Sequence, residues 1–245
     1  MTTEIALKEF LKDGSSEFYR AYRRLKYQVF VEELSWRELI DSSEAATTKE
    51  DPFDAAGRFL LAVDDGGLPI GVVRAIALKD GFPHRDLFEH HLHHPQFSAM
   101  LQSICMLNAL AVLPAYRGKT FRTAEQNWEG SVARLLVLGI MRLMEEQNNK
   151  AAIATAQGAV VFFFQKLGFV VIDRPAVTHL HPDIFTNVGL VFGSSGHREA
   201  LEACKMASSE PAAPAEQTLN LLKYFEECQQ SALGPDTLES LIAKQ

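Results

Sequence analysis

The sequence predicts an α/β fold in one domain with a sizeable core, and three observations carry that expectation. Short β-rich apolar runs alternate with segments of helical periodicity over residues 1–195 of the 245-residue chain. Two such runs, 59–64 and 70–78, flank Asp65-Gly66-Gly67, a hairpin turn signal. Residues 107–130 read as a buried strand that turns at Pro114, passes through the basic loop Arg117-Gly118-Lys119, and leads to an apolar helix pattern over 131–147. Such a strand–loop–helix is suited to holding a phosphate, because backbone amides and the helix dipole favour negative charge there.

Taken in order, residues 5–10 form a first strand, and Asp13-Gly14-Ser15-Ser16 supply a turn and helix cap. Residues 17–34 place Phe18, Tyr22, Leu25, Val29 and Phe30 at helical spacing, which predicts one amphipathic helix. Residues 35–52 are polar and irregular, as in a surface loop. The 59–64 and 70–78 strands follow, with Arg74 in the middle of the second. A buried arginine requires a counter-charge, so Arg74 either pairs with a carboxylate such as Asp54 or anchors a substrate carboxylate bidentately. Residues 79–102 are an insertion containing His90-His91-Leu92-His93-His94, which reads as a solvated helix end rather than a metal site. Residues 151–156 predict a strand, and 158–167 a short helix ending at Gly168. Residues 170–173 and 188–192 complete the strand set. From Gly193 the character changes: 197–206 reads as a helix, 207–216 as a Ser/Pro/Ala-rich linker, and 217–230 as an amphipathic helix with Leu219, Leu222 and Phe225 as its stripe. The expected division is therefore 1–195 for the domain and 196–245 for a helical tail.

Composition excludes several classes. A net charge of −7 and the lack of any face-sized basic cluster argue against a nucleic-acid partner. No uninterrupted apolar run approaches membrane-spanning length and the N-terminus lacks a signal-like core, so a soluble cytoplasmic protein is expected. Three widely spaced cysteines suggest neither a disulfide framework nor a zinc site, and Cys105 reads as a packed core thiol. No metal is expected.

Two stretches resemble the GNAT acyltransferase superfamily. The first is Leu110-Ala111-Val112-Leu113-Pro114-Ala115-Tyr116-Arg117-Gly118-Lys119, similar to the acyl-donor motif. The second is Phe163-Phe164-Gln165-Lys166-Leu167-Gly168-Phe169. The resemblance implies the GNAT fold, an α/β (α+β) mixed central sheet with flanking helices, split by a V-shaped opening, here expected after Val112, that admits a pantetheine arm. It assigns donor binding to Leu110, Ala111, Val112, Leu113, Arg117, Gly118, Lys119 and Ser131. Two departures stand out. Thr120 and Arg122 replace the loop glycines, and eight residues separate them from the helix. Phe164 replaces a tyrosine that in many members protonates the leaving thiolate, and the phenylalanines at 162–164 either pack helix against sheet or wall an acyl pocket.

Residues 26–36, Lys26-Tyr27-Gln28-Val29-Phe30-Val31-Glu32-Glu33-Leu34-Ser35-Trp36, with Glu50-Asp51-Pro52-Phe53-Asp54 and Arg74, are similar to the acyl-homoserine lactone synthases and the bacterial N-acyl amino acid synthases. The matches are Phe30, Trp36, Asp51, Asp54 and Arg74, with Lys26 in place of an arginine. The acidic and basic strand residues of the lactone synthases are absent, since Cys105-Met106-Leu107-Asn108 is neutral. The resemblance thus implies acylation of an amine, on an amino acid or similar small molecule, with a long-chain acyl group carried as an acyl-phosphopantetheine thioester. Acyl carrier protein is the expected donor, with acyl-CoA as the alternative, because the crowded loop offers few close amides to a pyrophosphate. Arg117, Lys119, Arg122 and Arg134 are candidates for contacting an acidic carrier. Asp51, Asp54 and Asn108 are the catalytic candidates, and Trp36, Arg74, Phe30 and Phe164 the substrate-binding ones. His179 and His181 are further candidates for a base, and each of the possible bases has a capping or surface-pair reading beside the catalytic one. Two other readings remain: a short-chain acetyl-CoA-dependent N-acetyltransferase, and an acyl-binding regulatory protein that has lost turnover.

Overall fold

The computed structural model describes residues 3–13, 16–173, 176–177, 184–207 and 215–232. Its strands are β1 (Thr3–Leu11), β2 (Arg58–Asp64), β3 (Pro69–Ala77), β4 (Ile104–Val112), β5 (Phe121–Thr123), β6 (Glu129–Gly130), β7 (Ala151–Gln157), β8 (Val170–Val171), β9 (Ala176–Val177) and β10 (Ile184–Val191). They form one mixed sheet in the order β6-β5-β1-β2-β3-β4-β7-β10-β8, with β9 also on β10. The pairings of β1 with β5 and of β4 with β7 are parallel. The β2–β3 hairpin closes as its turn residues demand: Asp64 Oδ1 accepts from the amides of Gly66 at 3.0 Å and Leu68 at 2.8 Å, and Gly67 takes a φ of 81°.

The helices are α1 (Glu17–Lys26), α2 (Glu89–His93), α3 (Pro95–Met100), α4 (Val132–Glu146), α5 (Gly158–Gln165), α6 (Ser195–Ala203) and α7 (Glu216–Ala232). One sheet face carries the cluster built by α4, α5 and α6, including Leu135, Leu136, Phe164 and Leu201. The other carries two clusters side by side. Tyr19, Tyr22 and Leu25 of α1 pack on Phe59, Val72 and Ala111, while Phe88, Phe97, Leu221 and Phe225 pack on Met106 and Ile153. The charged groups described below lie at the junction between these two clusters. Gly71 permits the close approach of α4 to β3, since a Cβ there would lie 2.9 Å from Val132 Cγ1 and 3.0 Å from Leu136 Cδ1. Gly168 ends α5 as expected, with a φ of 87° and Phe169 N donating to Phe164 O at 3.1 Å.

Several expectations are corrected. The helix expected over 17–34 ends at Lys26 and widens to a π-helix over Tyr27–Glu33. A wider turn brings both Val29 and Val31 inward, which 3.6-residue spacing would not. Ser16 holds the N-cap position without a side-chain capping bond. The segment expected as an insertion in the phosphate loop instead contributes β5 and β6 to the sheet edge, where Phe121 pairs with Thr3. Strand β10 starts earlier than residue 188, and β8 stops at Val171. The histidine run is not wholly solvated: His90 and His93 are exposed, but His91 is fully buried. The tail helix docks through Leu221, Tyr224 and Phe225, while Leu219 faces outward. The linker lies mostly outside the described residues. Among the described residues no helix is long and apolar enough to cross a membrane.

Phe225 seats over Gly189, where a Cβ would meet its ring at 2.7 Å. Truncating this fully buried ring by Phe225→Ala should lower the unfolding free energy by about 3–5 kcal/mol in urea titrations. A loss under about 1 kcal/mol would mean that α7 is not part of the folded unit.

Candidate active site

Strands β4 and β7 part company partway along their length. Parallel pairing runs from Ile104 with Ala151 to Leu107 with Ala154 and stops. Beyond that point β4 stays on β3 as far as Val112, and β7 stays on β10 as far as Gln157. The opening therefore begins after Leu107, five residues earlier than the sequence suggested. Its cause is local. The β3–β4 register shifts between Val72 and Arg74, and Ala109 adopts a φ of 53°. A left-handed alanine in a bulge bends its strand and raises the twist, which swings residues 108–112 away from β7. Backbone groups on the facing edge of that stretch have no strand to pair with. A ligand with amides spaced along an extended chain can pair there instead.

Directly behind the fork lies a buried charge network. Arg74, 2% exposed, donates from Nη1 to Asp54 Oδ1, from Nη2 to Asp51 Oδ2 at 2.8 Å, and from Nε to Asn108 Oδ1 at 2.6 Å. Asp54 is fully buried and also accepts from Tyr19 Oη at 2.7 Å and Tyr22 Oη at 3.1 Å. Asp51 caps the short 3-10 helix Pro52–Ala56, accepting from Phe53 N at 2.9 Å. Sequence reasoning placed Asp51, Asp54, Arg74 and Asn108 in one site, and the fold brings all four together. It missed the Tyr19 and Tyr22 hydroxyls, whose signal was available: two tyrosines three apart on a buried helix face need polar partners. Of the two readings of Arg74, the pair with Asp54 is the one present, and its three kinds of nitrogen are all engaged within the protein. Burial opposes the Asp51 carboxylate, but Arg74 beside it holds the group below the usual range. Lys26, 6% exposed and with its ammonium 4.9 Å from the Tyr22 ring, is pushed down to about 8 by burial, with Arg74 acting in the same direction. The Nδ2 of Asn108 is buried without a hydrogen-bond partner among the described residues.

The mouth of the fork is covered by aromatic rings. Phe30 stacks on Trp36 with centroids 5.1 Å apart, and Trp36 meets Phe185 of β10 edge-on at 6.2 Å. Phe30 packs against the β4 arm and Phe185 lies on the other arm, so the stack bridges the opening. Phe185 was not foreseen, because no pattern tied it to residues far earlier in the chain. Phe164 is buried on the opposite face of the sheet against Phe163 and Phe169, apart from this group. Past Val112, Leu113 N donates to Ile70 O at 2.9 Å. Arg117 donates from Nε to Val112 O at 2.8 Å and grips Glu33 through both terminal nitrogens at 2.5 and 2.7 Å, an unforeseen tie to the π-helix. Gly118, at a φ of 68°, has open space where a side chain would be, and Lys119 is exposed. Ser131 Oγ caps α4 by accepting from Arg134 N at 3.4 Å. Arg122 projects from β5 and bonds Asn127. His179 and His181 lie outside the described residues. Cys105 is fully buried and its thiol is pushed up by burial, as a core thiol should be.

Residues 25–128 match the family described as acetyltransferase (GNAT) domain. No curated protein sequence matches the chain. Among solved structures, a CoA-dependent acyl-homoserine lactone synthase, BjaI, solved with SAM and isopentyl-CoA, superposes with a TM-score of 0.61 at 14% identity, covering 89% of this chain and 99% of its own. The acyl-homoserine lactone synthase LasI gives 0.58 at 14%, covering 85% and 100%. FeeM, an N-acyl amino acid synthase from uncultured soil microbes, gives 0.53 at 12%, covering 76% and 91%. At these identities the likeness is one of fold.

Two predictions concern the charge network. Arg74→Met strands Asp54 without a counter-ion and should cost about 3–5 kcal/mol in urea unfolding. Adding Asp54→Asn should recover a large part, so that additive losses would contradict the coupling. Lys26 binds its proton less tightly folded than unfolded, where a lysine titrates near 10.4. The unfolded chain therefore holds more protons between about pH 8 and 10, and Lys26 makes stability rise with pH across that window. Lys26→Met should flatten the slope by about 2 kcal/mol over the window, read from paired urea titrations.

Proposed function

We propose that this chain, a GNAT acyltransferase by its domain match and its fold, moves an acyl group from a pantetheine thioester to the amine of an amino acid or similar small molecule. The observation that supports this reading most directly is the loss of β4–β7 pairing after Leu107. It leaves an extended backbone edge over residues 108–112 against which the pantetheine amides can pair, with the thioester carbonyl polarised by a backbone N–H of the same edge. The amine lone pair attacks the carbonyl carbon, the C–N bond forms and the C–S bond breaks. Sulfur leaves as a thiolate and the amine's surplus proton passes to water or to sulfur. Phe164 has no proton to give and lies on the far face, so it takes no part in that transfer.

Residue roles follow from the contacts. Asp51 and Asp54 hold Arg74, and Arg74 holds Asn108 beside the bulge, so these four act as positioning residues. A carboxylate kept ionised by Arg74 is a weak base, which fits Asp51 poorly to deprotonating the amine. Asn108 Nδ2 is the polar group at the fork with a bond still to make. Phe30, Trp36 and Phe185 offer an apolar cover suited to an acyl chain. Strand β4 carries no carboxylate or cation next to the opening, which favours amide formation over lactone closure.

Acyl carrier protein is the preferred donor in this reading. With β5 and β6 drawn off to the sheet edge, the basic loop offers Gly118, Lys119 and the Ser131 end of α4 to a phosphate, a cradle for one group rather than for a pyrophosphate. Exposed Lys119 and Arg122 suit an acidic carrier.

The test offers the purified protein long-chain acyl carrier protein, long-chain acyl-CoA and acetyl-CoA with a mixture of amino acids, following thiol release and product mass. Formation of N-acyl amino acids, at least about tenfold faster from the carrier-borne thioester, is expected. Turnover of acetyl-CoA alone would establish the short-chain alternative. Acyl binding without thiol release from any donor would overturn acyl transfer.

A further inference from the structure

The histidine run in the insertion converges on one carboxylate far from it in sequence. His90 Nε2 lies 2.8 Å from Asp173 Oδ1, and His91 Nε2 lies 2.8 Å from Asp173 Oδ2. The three ligand atoms fall within 4.8 Å of one another. Consecutive residues on a helix ordinarily point about 100° apart, yet these rings sit 3.9 Å centroid to centroid with both nitrogens on the same group. His90 is mostly exposed and free to turn to solvent, so its approach to Asp173 is not forced by packing.

The surroundings orient these groups as the outer ligands of a metal site do. His91 is fully buried, and its other nitrogen, Nδ1, lies 2.6 Å from Tyr224 Oη on α7. That contact leaves Nε2 directed at Asp173. Asn187 Nδ2 donates to Asp173 Oδ2 at 2.7 Å and to Leu87 O at 3.0 Å, fixing the carboxylate's plane. A cavity of about 550 Å³ opens beside the cluster, lined among others by His90, Asp173, Asn187, Phe185 and Cys228.

We propose that His90 Nε2, His91 Nε2 and the Asp173 carboxylate form a binding site for a divalent cation of the zinc class, with a fourth position facing this cavity. Two imidazoles and one carboxylate with an open position form a donor set that zinc accepts, and separating the pairs slightly from hydrogen-bond contact admits the ion. Two neutral imidazoles and one carboxylate leave an excess positive charge on a dication, so the open position favours water as hydroxide, a carboxylate or a thiolate. Cys228 lies on the cavity wall within hydrogen-bonding reach of Tyr224. The ion would tie together three segments remote in sequence: α2, the chain after β8, and α7 through Tyr224. The site is independent of the acyl-transfer reading.

Untagged full-length protein, stripped by a chelator, would be titrated with Co²⁺ and followed by visible absorption. Saturation at a single equivalent with tetrahedral-type bands, displaced by Zn²⁺, is expected. His90→Ala and Asp173→Asn should each weaken binding by at least about tenfold, and His93→Ala, on an exposed neighbour, should leave it unchanged. Zinc should also raise the melting temperature of the wild type but not of His90→Ala, whose exposed side chain makes it a safe variant for folding. Absence of a saturable band would overturn the site. So would equal losses in His90→Ala and His93→Ala, which would indicate loose binding along the helix.

Discussion

Backbone pairing is the constraint on which the rest of this molecule turns. A sheet of this size would ordinarily satisfy every interior amide by pairing neighbours along their full length. Here a left-handed alanine and a register shift stop β4 from following β7, so an apolar interior is left with an unpaired polar edge. Such an edge is stable only if something else shields or occupies it. The aromatic stack of Phe30, Trp36 and Phe185 shields the mouth, and the Arg74 network stiffens the strand just before the bend. Both the π-helix and the short 3-10 helix after Asp51 make sense as devices that deliver these groups to the fork.

The Arg74 network illustrates why buried charge marks function more readily than stability. Replacing such a cluster with apolar side chains of similar volume often costs nothing, whereas leaving it half complete is expensive. What the network visibly does is orient: Asn108 is held at the first position after pairing fails, and Asp51 caps the short helix that begins at Pro52. Lys26, buried next to these groups without a carboxylate in contact among the described residues, is the least comfortable member and the one most sensitive to pH.

Much of this was legible in the sequence, for physical reasons that differ by element. The β2–β3 hairpin, β4 and α4 were readable because their apolar periods are strong and bounded by Gly, Pro, Asp or Ser. Arg74 was readable as a paired group because an arginine inside an apolar strand needs a partner, and the Asp-x-x-Asp spacing at residues 51–54 supplied one. Strand β5 was not readable: three residues carry no period, and its partner β1 lies at the other end of the domain in sequence. The π-helix was hidden because helical spacing persists through Val29 and Phe30 and fails only at Val31. Phe185 and Glu33 were missed because their importance lies in what they touch across the fold. The burial of His91 was misread for the same reason: its partners, Asp173 and Tyr224, belong to segments that sequence alone does not bring near.

The grip of Arg117 on Glu33 has a consequence for how the loop behaves at rest. Its guanidinium fork is already matched by a carboxylate of similar shape, so in the proposed donor-binding role a phosphate arriving at Arg117 would exchange with an anion instead of filling a vacancy. Stray inorganic ions gain little from such a swap, whereas a tethered phosphate that also threads the gap beyond it gains from both ends. If the loop takes the donor phosphate as proposed, selectivity there would come from competition, and the displaced acid, being part of the π-helix, would be the point at which donor arrival is felt by the aromatic cover.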